Sequence, residues 1–305
     1  MKNTPHIPVL LQPIVQKCNL HKGDVVVDGT IGFGGHACAL LKIIGEDGRY
    51  LGIDKDQKAI DYCQNHYQRS GLTLVQGQFS EIDRIAYENK FDVVDFILLD
   101  LGVSSPQLDD PIYGLSFLHD GPLDMRIGES SLSASDVINK WSAAELRHLF
   151  TENGQEATNR LVDKIIDIRQ RKSIGTIFEL KQIIELVVPF KKGINPSTQV
   201  FQALRIATNN ELVELQKGLE KSIKLLKKGG RIAVISFHSG EDKIVKNYFK
   251  KESADCICPP NYPICQCSHK ASLQILTKTS IVASDKEVKI NPRSRSAKLR
   301  IALKI

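Results

Sequence analysis

VVVDGTIGFGGHA, residues 25–37, combines a short β-branched strand, a glycine-rich turn and the start of a helix. This order is typical of the first βα unit of a nucleotide-binding α/β fold, because glycines let the backbone approach a ligand at the helix N-terminus. Gly32, Gly34 and Ala37 also satisfy the dinucleotide fingerprint G-x-G-x-x-A, and Asp54 follows about 20 residues later. The motif alone therefore fits more than one class of cofactor.

Further strands are predicted on either side of this turn. β-Branched runs cover residues 24–28, 49–54, 72–77 and 93–100, and amphipathic stretches separate them. Such alternation indicates βα units around a parallel sheet. Ligands of open α/β sheets lie outside the carboxyl ends of the strands. Asp28, Asp54 and Asp100, which end three of these runs, are therefore candidate binding residues.

The strand pattern is absent between residues 107 and 209, where helical patterns replace it. Two of the predicted helices begin with capping boxes, Ser142 with Glu145 and Thr176 with Glu179. The sequence therefore predicts a helical insertion.

The sheet pattern resumes after the insertion. We predict a helix over 210–230 that stops at Gly229 and Gly230, a strand over 231–237, and final strands over 273–278 and 298–305. The expected organisation is a discontinuous α/β domain of residues 1–108 and 210–305 with a helical domain of residues 109–209.

The charge of Asp28 separates two cofactor classes that the glycine turn fits. A dinucleotide would place its pyrophosphate beside this carboxylate, and the two would repel each other. S-adenosylmethionine has no phosphate, and its ammonium and sulfonium groups are cationic. Asp28 then attracts the methionine end or organises the loop around it, whereas Asp54 accepts hydrogen bonds from a ribose diol. The alternative is structural: Asp28 caps a turn and the glycines only permit tight packing.

Composition limits the class of protein. The 305 residues are 42% hydrophobic, with a formal net charge of +6 that suits a polyanionic partner. No apolar run approaches the length of a membrane span, and the N-terminus lacks the pattern of a secretory signal, so we expect a cytoplasmic protein with no membrane partner. Seven cysteines are an odd number, and no disulfide framework is expected.

Several long segments match a known family. They include DGTIGFGGHA (28–37), LLDLGVSSPQLDD (98–110), FQALRIATNNEL (201–212), ISFHSGEDKIVK (235–246) and NPRSRSAKLRIA (291–302). In these the chain resembles the ribosomal RNA small subunit methyltransferase H family over nearly its whole length. The resemblance implies an α/β class I S-adenosylmethionine-dependent methyltransferase, Rossmann-like with a mostly parallel seven-stranded sheet, and an inserted helical domain that helps to recognise RNA. The implied substrate is the N4 amino group of a cytosine in 16S rRNA of the small ribosomal subunit.

The same resemblance implies a set of cofactor contacts. They are Gly34, Gly35, His36, Asp54, Phe79, Asp100 and Gln107. Because it ends strand 93–100 at the edge that faces the cofactor, Asp100 is also the candidate catalytic residue. Phe79 is expected to border an adenine, although a lone phenylalanine is more often part of a core.

The acceptor atom leaves its own trace in the sequence. Methylation at cytosine C5 needs a thiolate, and the loops after strands 93–100 and 231–237 contain no cysteine. An exocyclic amine needs only an acceptor near the proton that leaves, and Asp100 is placed for that role. Because DLGVSS replaces the D/N-P-P-Y/F motif of many amino-methyltransferases, Phe117, Phe237 or His238 is expected to stack on the base.

Basic residues predict where RNA phosphates are bound. One group lies on the insertion and another near the C-terminus: Lys164, Arg169, Arg171, Lys172, and Arg293, Arg295, Lys298, Arg300. Arginines spaced among serines in the second group suit phosphate contact.

Residues 256–267, CICPPNYPICQC, contain two C-x-C pairs. Familiar structural zinc sites use C-x₂₋₄-C spacing, so we predict no metal, with zinc as the alternative. Two functional alternatives also remain open, a nucleotide-dependent oxidoreductase and an inactive RNA-binding ribosome-assembly factor.

Overall fold

A computed structural model describes residues 7–128, 130–155, 158–190, 195–259, 262 and 264–305. Strands are β1 Val25–Asp28, β2 Arg49–Asp54, β3 Leu72–Gln76, β4 Val94–Asp100, β5 Leu226–Ser236, β6 Leu273–Ile275, β7 Ile281–Val282 and β8 Lys298–Lys304. Helices are α1 Leu11–Lys17, α2 Gly35–Ile44, α3 Gln57–His66, α4 Ile82–Glu88, α5 Ser105–Asp109, α6 Ala134–Lys140, α7 Ala143–Glu152, α8 Thr158–Arg169, α9 Ile177–Val187, α10 Ser197–Asn209, α11 Glu211–Leu225, α12 Ser239–Glu252 and α13 Asp285–Ile290. None of the helices in these ranges is long and apolar enough to cross a bilayer.

The strands form one sheet in the order β3-β2-β1-β4-β5-β8-β6. Strands β1 to β5 are parallel, whereas β8 is antiparallel to both β5 and β6. The order of the first five is that of a doubly wound nucleotide-binding sheet. The antiparallel strand beside β5 is the mark of the class I methyltransferase fold, so the predicted fold class is confirmed.

The sheet differs from the predicted seven strands by one short addition. β7 pairs with Leu299 and Lys298 at the start of β8, and β6 pairs with the other end of β8. Since β5 occupies the opposite edge of β8, β6 and β7 share its outer edge. A strand of two residues is too short to produce an alternating pattern, which is why the sequence did not reveal it.

Two hydrophobic layers cover this sheet, one on each face. Alternate residues of each central strand enter different layers: Val27 and Ile97 pack on one side, and Val26 and Leu98 pack on the other. This is the burial expected for a parallel sheet with helices on both faces.

The helix before β5 ends earlier than predicted. α11 stops at Leu225 rather than at Gly229 and Gly230, and β5 begins at Leu226, which pairs with Val94. The register then shifts, and Arg231 pairs with Phe96. The two glycines therefore belong to a bulged entry into the strand, where a Cβ on Gly230 would lie 3.0 Å from the Asp95 carbonyl oxygen and 3.1 Å from that of Val94.

The chain divides into two compact units. One contains the described residues of Met1–Gly102 and Leu212–Ile305, and the other contains those of Val103–Glu211. The second unit has its own core, which Leu146, Phe150, Leu161 and Leu180 help to form. Both predicted capping boxes are confirmed at the starts of α7 and α9.

Candidate functional site

Three neighbouring parallel strands each end in an aspartate. β2, β1 and β4 lie side by side, and their last residues are Asp54, Asp28 and Asp100. The carboxyl ends of parallel strands share one edge of the sheet, so the predicted placement of the three strand ends is confirmed. We call this part of the first unit the carboxylate edge.

Asp28 is the most deeply buried of the three. Its residue is 1% exposed, and its carboxylate accepts hydrogen bonds from the Tyr50 hydroxyl at 2.8 Å and the Thr30 backbone N–H at 3.1 Å. Burial raises the pKa of Asp28 to about 6, against the opposing effect of the Tyr50 hydrogen bond. Asp28 therefore places a buried carboxyl group, held by two hydrogen bonds, at the start of the glycine turn.

Asp54 holds the glycine turn in place. One carboxylate oxygen accepts the N–H of Gly32 at 2.8 Å, and the other accepts the N–H of Asp56 at 2.9 Å. Burial raises the pKa of this carboxyl group as well. The side chain links the end of β2 to the turn after β1, and its oxygens have lone pairs that further donors can use.

The glycine turn leaves no room for side chains at Gly34. Gly34 has a φ of +76°, and a Cβ there would collide with the ring of Tyr67, whose hydroxyl donates to the Gly34 carbonyl at 3.1 Å. Gly35 follows as the first residue of α2, with Pro8 close to its Cα. The backbone of the turn is therefore fixed from one side by Tyr67.

His36 and Asp100 form the least satisfied part of the carboxylate edge. His36 Nε2 lies 3.4 Å from Asp100 Oδ2, and His36 is only 6% exposed. Within the described residues, neither ring nitrogen of His36 nor Asp100 Oδ1 has a hydrogen-bond partner. The Asp100 N–H donates to Thr30 Oγ1 at 2.6 Å, which fixes the backbone beside the turn. Buried polar atoms without partners are costly, and a bound polar ligand is a common reason for them.

Phe79 lies near this edge but is turned towards the core. Its Cβ is close to Gly29, and its ring packs so tightly on Gly218 of α11 that no Cβ fits there. The ring belongs partly to the hydrophobic layer beneath the sheet. The contacts of the Phe79 ring are therefore those of a core residue.

Gln107 and Phe117 belong to the second unit. The Gln107 side chain accepts the Ser104 N–H at 2.9 Å in a capping box at the start of α5. Phe117 packs edge to face on Phe201, with ring centroids 5.5 Å apart. Both side chains thus have local structural roles within that unit.

Phe237 and His238 follow β5 in the first unit. The Phe237 ring packs against Gly102, which has a φ of +97° after β4. Glu241, 2% exposed, accepts the N–H groups of Phe237 at 2.8 Å and His238 at 3.3 Å, and its other oxygen lies 3.3 Å from His238 Nε2. This loop is held in shape by a buried carboxylate that the sequence analysis did not single out.

Arg300 is not available for phosphate, contrary to the sequence prediction. It is 8% exposed, and its guanidinium binds Asp242 through Nε at 2.6 Å and a second nitrogen at 3.2 Å. Lys298 lies 3.3 Å from the same carboxylate. Burial opposes ionisation of Asp242, but Arg300 and Lys298 together hold its pKa below the usual value. Alternation along β8 places Arg300 inside, which a motif-based interpretation overlooks.

The predicted basic residues of the second unit have partners within it. Lys164 and Arg171 pair with Asp167 at 3.4 and 2.6 Å, Lys172 pairs with Glu179, and Arg169 donates to the Ile138 carbonyl at 2.6 Å. Arg171 and Lys172 remain exposed, so their pairs are solvated.

The buried thiol of Cys63 also supports the glycine turn, a contact that no sequence pattern predicted. The Cys63 thiol donates to the Gly32 carbonyl at 3.3 Å, and burial raises its pKa to about 12. It is therefore a neutral structural group, with no thiolate to attack a base. Tyr50, Tyr67 and Cys63 have no local sequence signal, because each reaches the turn from another element.

The family model and the curated relatives match nearly the whole chain. A model of the MraW methylase family matches residues 3–305. The ribosomal RNA small subunit methyltransferase H of Caldicellulosiruptor saccharolyticus is 44% identical, over 98% of this chain and 99% of that protein. The protein of the same name from Halothermothrix orenii is 42% identical, over 98% of each chain. Among solved structures, an rRNA methylase from Streptococcus thermophilus matches 96% of this chain and 93% of its own at 9% identity, with a TM-score of 0.42.

Proposed function

Because the chain belongs to the MraW methylase family, we propose that it transfers a methyl group from S-adenosylmethionine to the N4 amino group of a cytosine in 16S ribosomal RNA. Membership makes it a ribosomal RNA methyltransferase, and the choice of cytosine N4 comes from the family resemblance. The observation that carries the proposal is the His36–Asp100 pair, whose buried polar atoms lack partners among the described residues.

The carboxylate edge suits a cationic cofactor. Buried Asp28 lies beneath a glycine turn, where a pyrophosphate would be repelled and an ammonium or sulfonium group would be attracted. When bound, S-adenosylmethionine supplies a methyl group on a positively charged sulfur. We propose that Gly34, Gly35 and His36 border its methionine end. Asp54 has acceptor capacity for ribose hydroxyls, an interaction that both S-adenosylmethionine and a dinucleotide allow.

We propose Phe79 and Gln107 as further cofactor contacts, Phe79 from its position near Gly29 and Gln107 from the family motif. Phe79 has a Cβ near Gly29, so its backbone and ring edge are the parts proposed to border the adenine. Gln107 is proposed from the family motif alone, and its capping role fixes the side chain within α5.

We propose that Asp100 receives or orients the amino proton of the target base. Methyl transfer breaks a carbon–sulfur bond, forms a carbon–nitrogen bond and releases one proton from the amine. Asp100 Oδ1 is a buried acceptor without a partner among the described residues, next to the ring of His36. The Phe237 ring, held beside Gly102 after β4, is the candidate surface for stacking on the base.

We further propose that the helical unit takes part in RNA recognition. Its exposed pairs, Arg171 with Asp167 and Lys172 with Glu179, are of the solvated kind that contributes about 0–1 kcal/mol each. RNA phosphates can replace such carboxylates at low energetic cost.

The test is to identify the methylated nucleoside. Purified protein, labelled S-adenosylmethionine and small subunits from cells lacking this methylation are incubated, and the RNA is digested for mass spectrometry. We expect label in N4-methylcytidine. Label on another atom would contradict the choice of acceptor, and no transfer by protein that binds the subunits would favour an inactive assembly factor.

A further inference from the structure

The connection between α12 and β6 brings four cysteine thiols together. Cys256 Sγ lies 3.5 Å from Cys265 Sγ and 3.8 Å from Cys267 Sγ, and the last two are 3.6 Å apart. With Cys258, all four sulfur atoms lie within 4.8 Å of one another. We call these four residues the thiol cluster. The C-x-C spacing that argued against a shared ion thus does not prevent convergence.

These separations match the edges of a tetrahedron around a metal ion. Zinc–sulfur bonds of about 2.3 Å in tetrahedral geometry place neighbouring sulfurs about 3.8 Å apart. A disulfide would instead need two sulfurs at about 2.05 Å, and all four cysteines are free. The arrangement is that of four separate ligands around one point.

Backbone hydrogen bonds to sulfur repeat across the two C-x-C pairs. The N–H of Ile257, in the middle of the first pair, donates to Cys267 Sγ at 3.4 Å. The N–H of Gln266, in the middle of the second pair, donates to Cys258 Sγ at 3.3 Å. Each pair therefore supports the second cysteine of the other. Donors aimed at sulfur stabilise thiolates and orient ligands, as the surroundings of metal sites do.

Hydrogen bonds between Glu252 and Ser272 join the two ends of this connection. The Ser272 N–H donates to the Glu252 carbonyl at 2.8 Å, and the Ser272 hydroxyl donates to the Glu252 carboxylate at 2.8 Å. Beyond these contacts, Cys256 and Cys265 are exposed and lie outside the hydrophobic layers. Closing such a segment costs conformational entropy, which an ion bound by four ligands offsets.

We propose that Cys256, Cys258, Cys265 and Cys267 bind one structural zinc ion. On binding, the four thiols release their protons to solvent and bond to the metal through sulfur. Four protein ligands leave no open position, so the ion stabilises the connection and takes no part in methyl transfer. Its ligands belong to the connection between α12 and β6, whereas the residues of the carboxylate edge belong to the ends of β1, β2 and β4.

The test is the metal content of full-length protein that is produced with zinc in the medium and purified without chelator or an affinity metal. Elemental analysis is expected to find about one zinc per chain. The variant Cys258→Ser/Cys267→Ser is expected to contain at least about tenfold less zinc per chain than the wild type, because it lacks half of the ligands. Cys38→Ser, which changes a cysteine outside the thiol cluster, is the matched control and is expected to keep it.

A second measurement uses the wild-type protein, so the test does not depend on whether the double variant folds. A mercurial reagent is added stepwise while a coloured chelator reports zinc, and release is expected as the four exposed or half-exposed thiols react. Cobalt substituted for zinc is expected to show the visible bands of a tetrahedral thiolate site. Absence of stoichiometric zinc, another metal in its place, disulfides in the thiol cluster, or full zinc content in the double variant would each overturn the proposal.

Discussion

The carboxylate edge of the first unit and the basic helices of the second both carry charged side chains, but the two regions differ in how those side chains are paired. His36 is buried and Asp100 is half-buried, and both have buried polar atoms that lack hydrogen-bond partners among the described residues. Arg171 and Lys172 are exposed, and each is paired with an acidic neighbour. Buried polar atoms without hydrogen-bond partners indicate a missing ligand, whereas exposed ion pairs are accounted for within the chain.

This contrast ranks the consequences of substitution. Changes at the carboxylate edge remove interactions that work in low dielectric, and we expect large effects on binding and catalysis. Changes on the basic helices replace solvated pairs, and we expect small ones.

Asp100→Ala is expected to have the largest effect, because it removes the proposed acceptor of the amino proton. If Asp100 accepts or orients the amino proton, single-turnover methyl transfer to small subunits falls by about 10²–10⁴-fold. The thermal unfolding midpoint should change little, since the backbone contact to Thr30 remains. Asp100→Asn keeps an acceptor oxygen without a basic carboxylate. Equal losses in both variants favour proton transfer, and partial activity in the Asn variant favours orientation. A near wild-type rate for Asp100→Ala would exclude both roles.

The raised pKa of Asp28 predicts that the stability of the fold depends on pH. The folded protein keeps a proton on this carboxyl group up to about pH 6, while an unfolded chain loses it near pH 4. The free energy of unfolding should therefore decrease as pH rises through this window, by about 3 kcal/mol, and then level off.

Urea denaturation of the cofactor-free protein at a series of pH values measures this decrease. Asp28→Asn, which keeps an acceptor for the Tyr50 hydroxyl, should flatten the curve. An Asn variant with the same pH dependence as the wild type would assign the effect to other groups, such as Asp54, whose pKa burial also raises.

Gly34→Ala tests whether the glycine turn is tightly confined. Alanine at a φ of +76° is strained, and its Cβ would meet the Tyr67 ring. Gly23→Ala is the matched control, since Gly23 has a φ of +85° with open space around it. We expect Gly34→Ala to lower the free energy of unfolding by about 2 kcal/mol more than Gly23→Ala. Tyr67→Ala should recover part of that excess, and equal losses at both glycines would contradict the proposed confinement.

Arg171→Ala/Lys172→Ala should have the smallest effect. Loss of two solvated pairs should change the free energy of unfolding by less than about 1 kcal/mol. If these side chains contact RNA phosphates, the salt dependence of subunit binding should weaken by a slope of about 1–2, with cofactor affinity unchanged. An unchanged slope would remove these two residues from the RNA-binding surface.

Much of the sheet and its carboxylate edge could be predicted because the signals are local. The runs 24–28, 49–54 and 93–100 predicted β1, β2 and β4, and each strand ends at the predicted aspartate. Capping boxes placed the starts of α7 and α9 for the same reason, since a cap needs only residues three apart.

The remaining features depend on contacts between distant residues. Tyr50 and Cys63 support the glycine turn from β2 and α3, and a strand or helix position alone does not reveal such a contact. The sequence predicts that Arg300 binds phosphate, but its position on β8 directs its guanidinium to Asp242, which is 58 residues away in the chain. The thiol cluster needed three-dimensional convergence, because C-x-C spacing by itself argued against a shared ion.

Calorimetry with S-adenosylmethionine and with NAD tests the central claim most directly, namely that the carboxylate edge receives a cationic methyl donor. We predict that the wild type binds one S-adenosylmethionine per chain and shows no heat of binding with NAD. We predict also that Asp54→Ala weakens S-adenosylmethionine binding by at least about tenfold, equivalent to about 1.4 kcal/mol. Comparable binding of NAD, or wild-type affinity for S-adenosylmethionine in Asp54→Ala, would contradict the assignment of the site.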